Sequence, residues 1–432
     1  MGKIAVIGSG IAGMGAAWAL DREHEVVVYE ADARLGGHAH TVDLDDDGRS
    51  VPVDTGFIVY NELNYPNLVR LFDAIGVPTE WSDMSFAVSV GGGRFEFQSR
   101  TTGLLAQPSN VLRPATWRMM YDFRRFAREA PAILSSDSRE SLGGYLDRRG
   151  YGEDFRVDLL LPMTAAIWSS GLDDMLEFPV TTLVRFLSSH ALLQVGSRPR
   201  WRTVSGGSRE YVARLTAGYR DRVRLSTPVV GVDRDTDGVT VRDARGGVDR
   251  FDEVVFATHA DTALAILGPQ ATMQERSVLG AFRFQDNEAV LHRDPSLMPR
   301  RRAVWSSWNY LAEGRGVPDR TKPVALTYWM NRLQNLRTRR PVFVTLNPIH
   351  EPRGEVVRFR YAHPQFDRTA VDAQASLTAL QGRRSTWFAG AWCGYGFHED
   401  GLRAGLEVAA ALGSPPSWGV EPMPSLVGAS AA

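Results

Sequence analysis

The stretch Lys3-Ile-Ala-Val-Ile-Gly-Ser-Gly-Ile-Ala-Gly-Met-Gly-Ala-Ala-Trp-Ala-Leu20 decides the fold. Ile4 to Ile7 make a short apolar run, and Gly8, Ser9, Gly10, Ile11, Ala12 and Gly13 complete a G-x-G-x-x-G pattern directly after it. Ala16, Ala17, Ala19 and Leu20 continue at helical spacing, so the segment predicts strand, tight turn and helix. In that arrangement Gly8 permits the turn, Gly10 lets backbone approach a pyrophosphate, and Gly13 lets the helix lie close against the strand. Ile11 and Ala12 open the helix, whose N-terminal amides face the phosphates. A second strand, Glu25 to Tyr29, ends at Glu30 with Ala31 beside it. An acid at that position accepts hydrogen bonds from the ribose hydroxyls of a dinucleotide.

Composition narrows the class. The chain has 432 residues, enough for two cores, because a single core stops growing at roughly 250–300 residues. With 44% hydrophobic and 23% charged residues, wholesale disorder and collagen-like repeats are excluded. The 49 basic and 50 acidic residues give a formal net charge of -1, which argues against a nucleic-acid partner. One cysteine, Cys393, allows neither an intrachain disulfide nor a cysteine-cluster metal site, so no metal is expected and a reducing compartment fits. The N-terminus opens into a buried-strand pattern rather than a signal peptide, and no apolar run approaches the ~20 residues of a membrane-spanning helix. The expectation is a cytoplasmic protein, soluble or peripheral at the inner membrane face. Lys3 and Lys322 are the only lysines, so nearly all positive charge is arginine.

Ala33-Arg34-Leu35-Gly36-Gly37 supplies an R-x-G-G element just after the acid, and Val53-Asp54-Thr55-Gly56-Phe57 a following D-x-G element. Here the chain resembles the two-dinucleotide-binding-domain flavoproteins of the amine oxidase and phytoene desaturase superfamily. The resemblance implies Arg34, Gly36 and Gly37 along the FAD pyrophosphate, with Asp54, Thr55 and Gly56 also around the cofactor. It recurs in Val204 to Ser208, a V-x-G-G segment leading into a helix, and in Val223 to Val230, where the backbone of Val229 would hold the adenine. Asp252 to Thr258 resembles the returning strand that ends near the cofactor at Ala257. Trp387-Phe-Ala-Gly390-Ala391-Trp392, followed by Gly401-Leu402-Arg-Ala-Gly405, resembles the family's C-terminal signature. There a strand delivers the chain to the isoalloxazine, and a helix N-terminus points its positive end at the ring's pyrimidine oxygen. Many relatives carry an acid directly after F-A-G; this chain has Ala391, and Glu399 and Asp400 are the candidates for the missing polar contact. The implied cofactor is non-covalent FAD, because Cys393 follows F-A-G, whereas the flavin-linking cysteine of monoamine oxidases precedes it.

The fold class expected is α/β, a two-dinucleotide-binding-domain flavoprotein with a Rossmann-like FAD domain and an inserted α+β substrate domain. Motif order makes the FAD domain discontinuous, built from residues 1–80, 200–270 and 380–413, with 81–199 and 271–379 as the substrate domain. The Pro-, Ser- and Gly-rich tail 414–432 reads as disordered. Trp305, Trp308, Tyr310, Tyr328, Trp329 and Met330 fall in two strand-like runs, which would suit an aromatic tunnel over the flavin or ordinary core packing. Arg113 to Arg128, with Trp117, Met120, Tyr121, Arg124, Arg125 and Arg128, reads as a basic amphipathic helix. Such a helix suits an anionic membrane surface or a domain cap with a solvated arginine face.

The chemistry narrows further by resemblance. Amine oxidases of the superfamily keep a lysine near the reactive nitrogen of the flavin; here Lys3 begins the first strand, and Lys322 reads as a loop residue. That favours a CH–CH dehydrogenase or desaturase. Asp54 to Asn61, Tyr328 to Gln334, Thr345 to Pro348 and Gly394 to Gly401 look like a bacterial branch of FAD-binding proteins. Members of that branch are often encoded beside cyclopropane-fatty-acid-synthase-like methyltransferases. The resemblance implies a phospholipid acyl-chain substrate, desaturation as in furan fatty acid synthesis, and a fatty acyl methyltransferase as functional partner. A flavin oxidase for a small amine and a non-catalytic flavoprotein partner of the methyltransferase are the rival readings. His398 is either the base, from its position and near-neutral titration, or a capping histidine at the helix start, with Tyr395 and Glu399 as alternative bases. His38 and His40, after Gly36-Gly37, could approach the ring or belong to a polar loop.

Overall fold

The computed structural model describes residues 1–99, 103–136, 138–193, 199–312, 323–354 and 356–422. The opening strand, Lys3–Ile7, lies in the middle of a five-stranded sheet in which every pairing is parallel. The order is Val223–Arg224, Glu25–Tyr29, Lys3–Ile7, Glu253–Phe256 and Thr386–Phe388. The strands are continuous apolar runs because both faces are covered. On one face the helix Ile11–Leu20 is buried everywhere except at Trp18. It sits between the sheet and the C-terminal helix His398–Ala411. A Cβ on Gly405 would overlap the Ala12 carbonyl oxygen, and one on Gly15 would come within 2.6 Å of the Leu402 side chain. The Leu402 side chain is thus fully buried between the two helices. An antiparallel meander, Val229–Asp235, Gly238–Asp243 and Val248–Phe251, shares the core on the other face with Phe256 and Phe388.

A second, seven-stranded sheet runs in the order Val357–Gln365, Arg283–His292, Phe343–Leu346, Ala325–Trp329, Trp308–Ala312, Phe86–Val90 and Phe95–Gln98. Only Trp308–Ala312 and Phe86–Val90 pair in parallel. Helices between Pro114 and Ser189 share its core through Phe126, Phe155, Leu183 and Phe186. This body and the parallel sheet together form the α/β flavoprotein architecture expected from the motifs. The helix Arg368–Gln374 packs through Ala370 on the core of Phe256 and Phe388, so it belongs with the parallel sheet although it precedes residue 380.

The structure bears on three expectations, two of them left open between alternatives. Tyr310, Tyr328 and Met330 are core of the seven-stranded sheet, and Trp305 meets Trp329 edge-on at 5.4 Å, so the two aromatic runs are packing and not a tunnel. Residues 414–422 are not disordered: Ser414 is buried, Trp418 stacks on Trp18 at 5.7 Å, and Glu421 exchanges backbone hydrogen bonds with the Asn67 side chain. The remainder of that tail, 423–432, lies outside the described residues. The basic helix spans Pro114–Glu129, but Met120 packs on the core and Arg125 lies over the Tyr151 ring, leaving Trp117, Tyr121, Arg124 and Arg128 on the outer face.

Candidate active site

The glycine loop has the geometry that a dinucleotide needs. Gly8 has φ of +101°, and a Cβ there would stand 2.6 Å from the Ala257 carbonyl oxygen. A Cβ on Gly13 would overlap the Gly8 carbonyl oxygen, which is why the helix start tolerates only glycine. Gly10 differs: no atom lies within 4 Å of a Cβ built on it, so it borders open space. The helix behind it has no side-chain cap and no acid in its first turn, leaving the amides of Ile11 and Ala12 facing an opening fit for phosphate. Gly37, at φ of +55°, crosses beside Gly10, and Gly36, at +110°, donates its amide to the Ser9 carbonyl at 3.0 Å. Arg34 donates to the carbonyl oxygens of Gly37 at 2.7 Å and Ala39 at 3.3 Å, fixing this loop from within. Glu30 ends the second strand beside the glycine loop, its carboxylate accepting from the Ser9 amide and hydroxyl and from the Asp32 amide. Ala31 is exposed next to it, and the buried Val229 begins the meander. The cradle fits FAD.

Other carboxylates proposed for the site are committed elsewhere. Asp54 is buried and accepts hydrogen bonds from Thr41 Oγ1, the Ser208 amide and hydroxyl, and Gln334 Nε2. It ties three loops together instead of touching the cofactor, and burial pushes its carboxyl up to about 6. Glu399 accepts from the Asn67 and Leu68 amides and from Asn67 Nδ2, capping the helix Pro66–Ala74, with burial raising it to about 7. Asp400 accepts from the Phe397 amide at 3.0 Å and pairs with Arg403. Neither carboxylate replaces the acid absent at Ala391. Gly390 is fixed by contact with the Trp392 ring, and Gly401 by Ile11.

His398 is also corrected. Its ring stacks on Phe57 at 3.8 Å, its Nε2 is 2.6 Å from the Tyr211 hydroxyl, and burial pushes its pKa down to about 3. It does not titrate near neutrality and its nitrogen is engaged. Tyr395 faces Phe186 at 5.7 Å, burial raises its hydroxyl pKa, and its carbonyl accepts from Trp168 Nε1. Trp168, Phe178, Phe186 and Phe397 pack on one another beside this segment, the first three within the hydrophobic core.

The groups that do converge come from three separate segments. His38 follows Gly37, His259 follows the strand Glu253–Phe256, and His363 and Tyr361 stand on Val357–Gln365 of the seven-stranded sheet. The His38 ring lies 5.1 Å from Tyr361, 5.4 Å from His363 and 6.4 Å from His259. This is the seam between the two bodies, at the C-terminal end of the parallel strands where open α/β sheets bind ligands. Thr55 joins it through a 2.7 Å hydrogen bond to Tyr361, His40 through one of 2.9 Å, and Gly56 fits beneath the His38 carbonyl. Asn287 Oδ1 accepts from Asn347, so its Nδ2 donates to His363 Nδ1 and the His363 proton sits on Nε2. Burial holds His38 well below its usual pKa and brings His363 down to about 4. His38 Nε2 is buried without any partner among the described residues, as a group awaiting a ligand would be. No three or more His, Cys, Asp or Glu side chains among the described residues are placed to hold a metal ion. His38 was visible beside Gly37, but no spacing pattern joins it to His259, Tyr361 and His363.

Residues 11–282 match the sequence family described as flavin containing amine oxidoreductase. Among solved structures, cyclohexylamine oxidase from Brevibacterium oxydans IH-35A is similar over 95% of this chain and 98% of its own, at 17% identity and a TM-score of 0.71. Wild-type putrescine oxidase bound to putrescine is similar over the same shares, at 15% identity and a TM-score of 0.67. A CLA-producing fatty acid isomerase from P. acnes again covers 95% and 98%, at 15% identity and a TM-score of 0.65. At these identities the likeness is one of fold. No curated protein matches the chain in sequence. The phosphate opening at Gly10 and a family match over more than half the chain lead to one conclusion: this protein belongs to the flavin containing amine oxidoreductases, an FAD-dependent oxidoreductase.

Proposed function

We propose that the protein dehydrogenates a methyl-branched or cyclopropane-type acyl chain of a phospholipid, as in furan fatty acid synthesis. The observation that carries this reading is the buried, unpartnered Nε2 of His38 at a seam of histidines that burial keeps neutral. His38, His259 and His363 are held below their usual pKa by burial, and Asp54, Glu399 and Asp400 are each bound by protein donors. None of these three carboxylates is free to pair with an ammonium, and Trp168, Phe178, Phe186 and Phe397 make the packing beside Tyr395 apolar. Lys3, the one lysine among the described residues, sits at the opposite end of the first strand, and Lys322 lies outside them.

In the reaction one acyl carbon loses a hydride, its neighbour loses a proton, and a carbon–carbon double bond forms between them. Bound FAD supplies the two-electron acceptor for the hydride. The chain supplies the base. Departure of hydride from a methyl-branched allylic carbon makes the adjacent C–H strongly acidic, so a weak neutral base suffices. His38 Nε2, buried and unpartnered, takes that proton. A methyltransferase acting on the same chains would supply the substrate.

The test is anaerobic bleaching of the yellow protein by phospholipids bearing methyl-branched unsaturated chains, with polyamines as control. Lipid-specific bleaching with a conjugated diene product is expected, and bleaching by polyamines alone overturns the reading. His38→Gln should keep FAD bound and slow bleaching by about 10²–10³. An unchanged rate removes His38 as the base. Because burial lowers the His38 pKa, its neutral form persists to lower pH, and the wild-type rate should stay flat from neutral pH upward.

A further inference from the structure

At the edge strand of the seven-stranded sheet, Phe95–Gln98, the chain exposes apolar and basic side chains together. Leu112 is 84% exposed, Tyr121 64%, Leu105 60% and Trp117 54%. Trp117 is pinned by its Nε1, which donates to the Val111 carbonyl at 2.9 Å, and Tyr121 follows one turn later on the same helix. The buried face of that helix is Thr116, Met119, Asp122 and Phe126, so the outward aromatics are not needed for its packing. Beside them stand Arg94, Arg113, Arg124, Arg300 and Arg302, none with a carboxylate partner among the described residues. The turn before Phe95–Gln98 gathers three of them, Arg94, Arg113 and Arg300: Arg113 donates to the Arg94 carbonyl at 2.8 Å, and Arg300 lies against Gly92 and Gly93.

We propose that this surface docks the protein on an anionic lipid bilayer, with Leu105, Leu112, Trp117 and Tyr121 entering the interface and the arginines meeting headgroup phosphates. Exposed apolar and aromatic side chains flanked by unpaired arginines are the chemistry of an interfacial anchor. A second copy is the poorer occupant, because a two-fold interface would set the same unpaired arginines against each other. The docking goes beyond the proposed reaction and is read without it, although it would bring the enzyme to acyl chains in a membrane.

The test is sedimentation of the holoenzyme with vesicles of unbranched phosphatidylcholine, with and without phosphatidylglycerol. Binding should require phosphatidylglycerol and weaken with salt. The double variant Leu112→Glu, Tyr121→Glu should bind at least tenfold more weakly. Arg94→Gln, Arg124→Gln and Arg302→Gln should each cost about fivefold, in line with the contribution of one basic residue near a charged surface. All should keep their FAD absorbance and thermal midpoint. Wild-type protein that ignores phosphatidylglycerol vesicles, or variants that bind as well as wild type, overturn the proposal. So does a solution dimer that Leu112→Glu, Tyr121→Glu dissociates. Turnover of detergent-dispersed lipid without vesicle binding removes the docking and leaves the reaction; vesicle binding without turnover does the reverse.

Discussion

Replacing Gly10 with alanine separates cofactor binding from folding, and the structure sets both magnitudes. Gly10 has φ of -65° and ψ of 178°, values that alanine adopts freely, and nothing lies within 4 Å of the added methyl. The apoprotein should therefore be no less stable, and loss of chain entropy in the unfolded state should favour it by about 0.4–1 kcal/mol. The methyl enters the space assigned to the pyrophosphate. Displacing the phosphates from two charge-assisted hydrogen bonds, at about 1.5–3 kcal/mol each, weakens FAD binding on the order of a hundredfold or more. Gly13→Ala is the contrast, since its methyl would overlap the Gly8 carbonyl oxygen and lie 3.0 Å from Ala257 Cβ. That variant should lose about 3 kcal/mol or more of apoprotein stability through backbone displacement. Thermal unfolding of the apoproteins and titration with FAD by fluorescence quenching measure the two effects separately. A folded Gly10→Ala protein with wild-type FAD affinity would refute the placement of the phosphates.

Two further perturbations probe the buried charges. Burial raises the Glu399 carboxyl to about 7 in the folded protein, above its ordinary unfolded value. Its contribution is therefore fully present below about pH 4.5 and lost as pH rises through 7, so Glu399→Gln should be closest to wild type, or better, at pH 8 and fall behind at pH 5. Thermal midpoints across that range check the sign, and a wild-type advantage growing with pH would contradict it. Arg234 and Glu275 form a buried ion pair between the meander and the helix Met273–Leu279, with 0% and 5% of their side chains exposed. Arg234→Ala leaves Glu275 charged and unpaired and should cost about 3–5 kcal/mol by urea unfolding, much of it recovered by Arg234→Met with Glu275→Leu.

The glycine loop was legible because its pattern is local, although Gly8 and Gly13 also answer to Ala257, a neighbour that only the fold brings to them. The roles of Asp54 and Glu399 were not, because a carboxylate's role depends on which donors reach it. For Asp54 these come from Thr41, Ser208 and Gln334, and for Glu399 from Asn67 and Leu68. His398 sits at the expected helix start, but stacking on Phe57 and burial remove the basicity that sequence position alone suggested. The FAD fold was legible from motif order, since each motif marks a strand end. The seam of His38, His259 and His363 was not, because nothing in their spacing announces that two sheets meet there.

The close contact of the first and last helices sets the order of events during synthesis. The helix Ile11–Leu20 leaves the ribosome early, yet Gly15 and Ala12 find Leu402 and Gly405 only when almost the whole chain exists. The parallel sheet likewise lacks an outer strand until Thr386–Phe388 is made. The nascent protein thus holds a phosphate loop whose helix still lacks its packing partner, and long-range pairing of this kind is slow and exposes apolar edges. Flavin supply should govern the yield of this protein after chain completion, not during elongation.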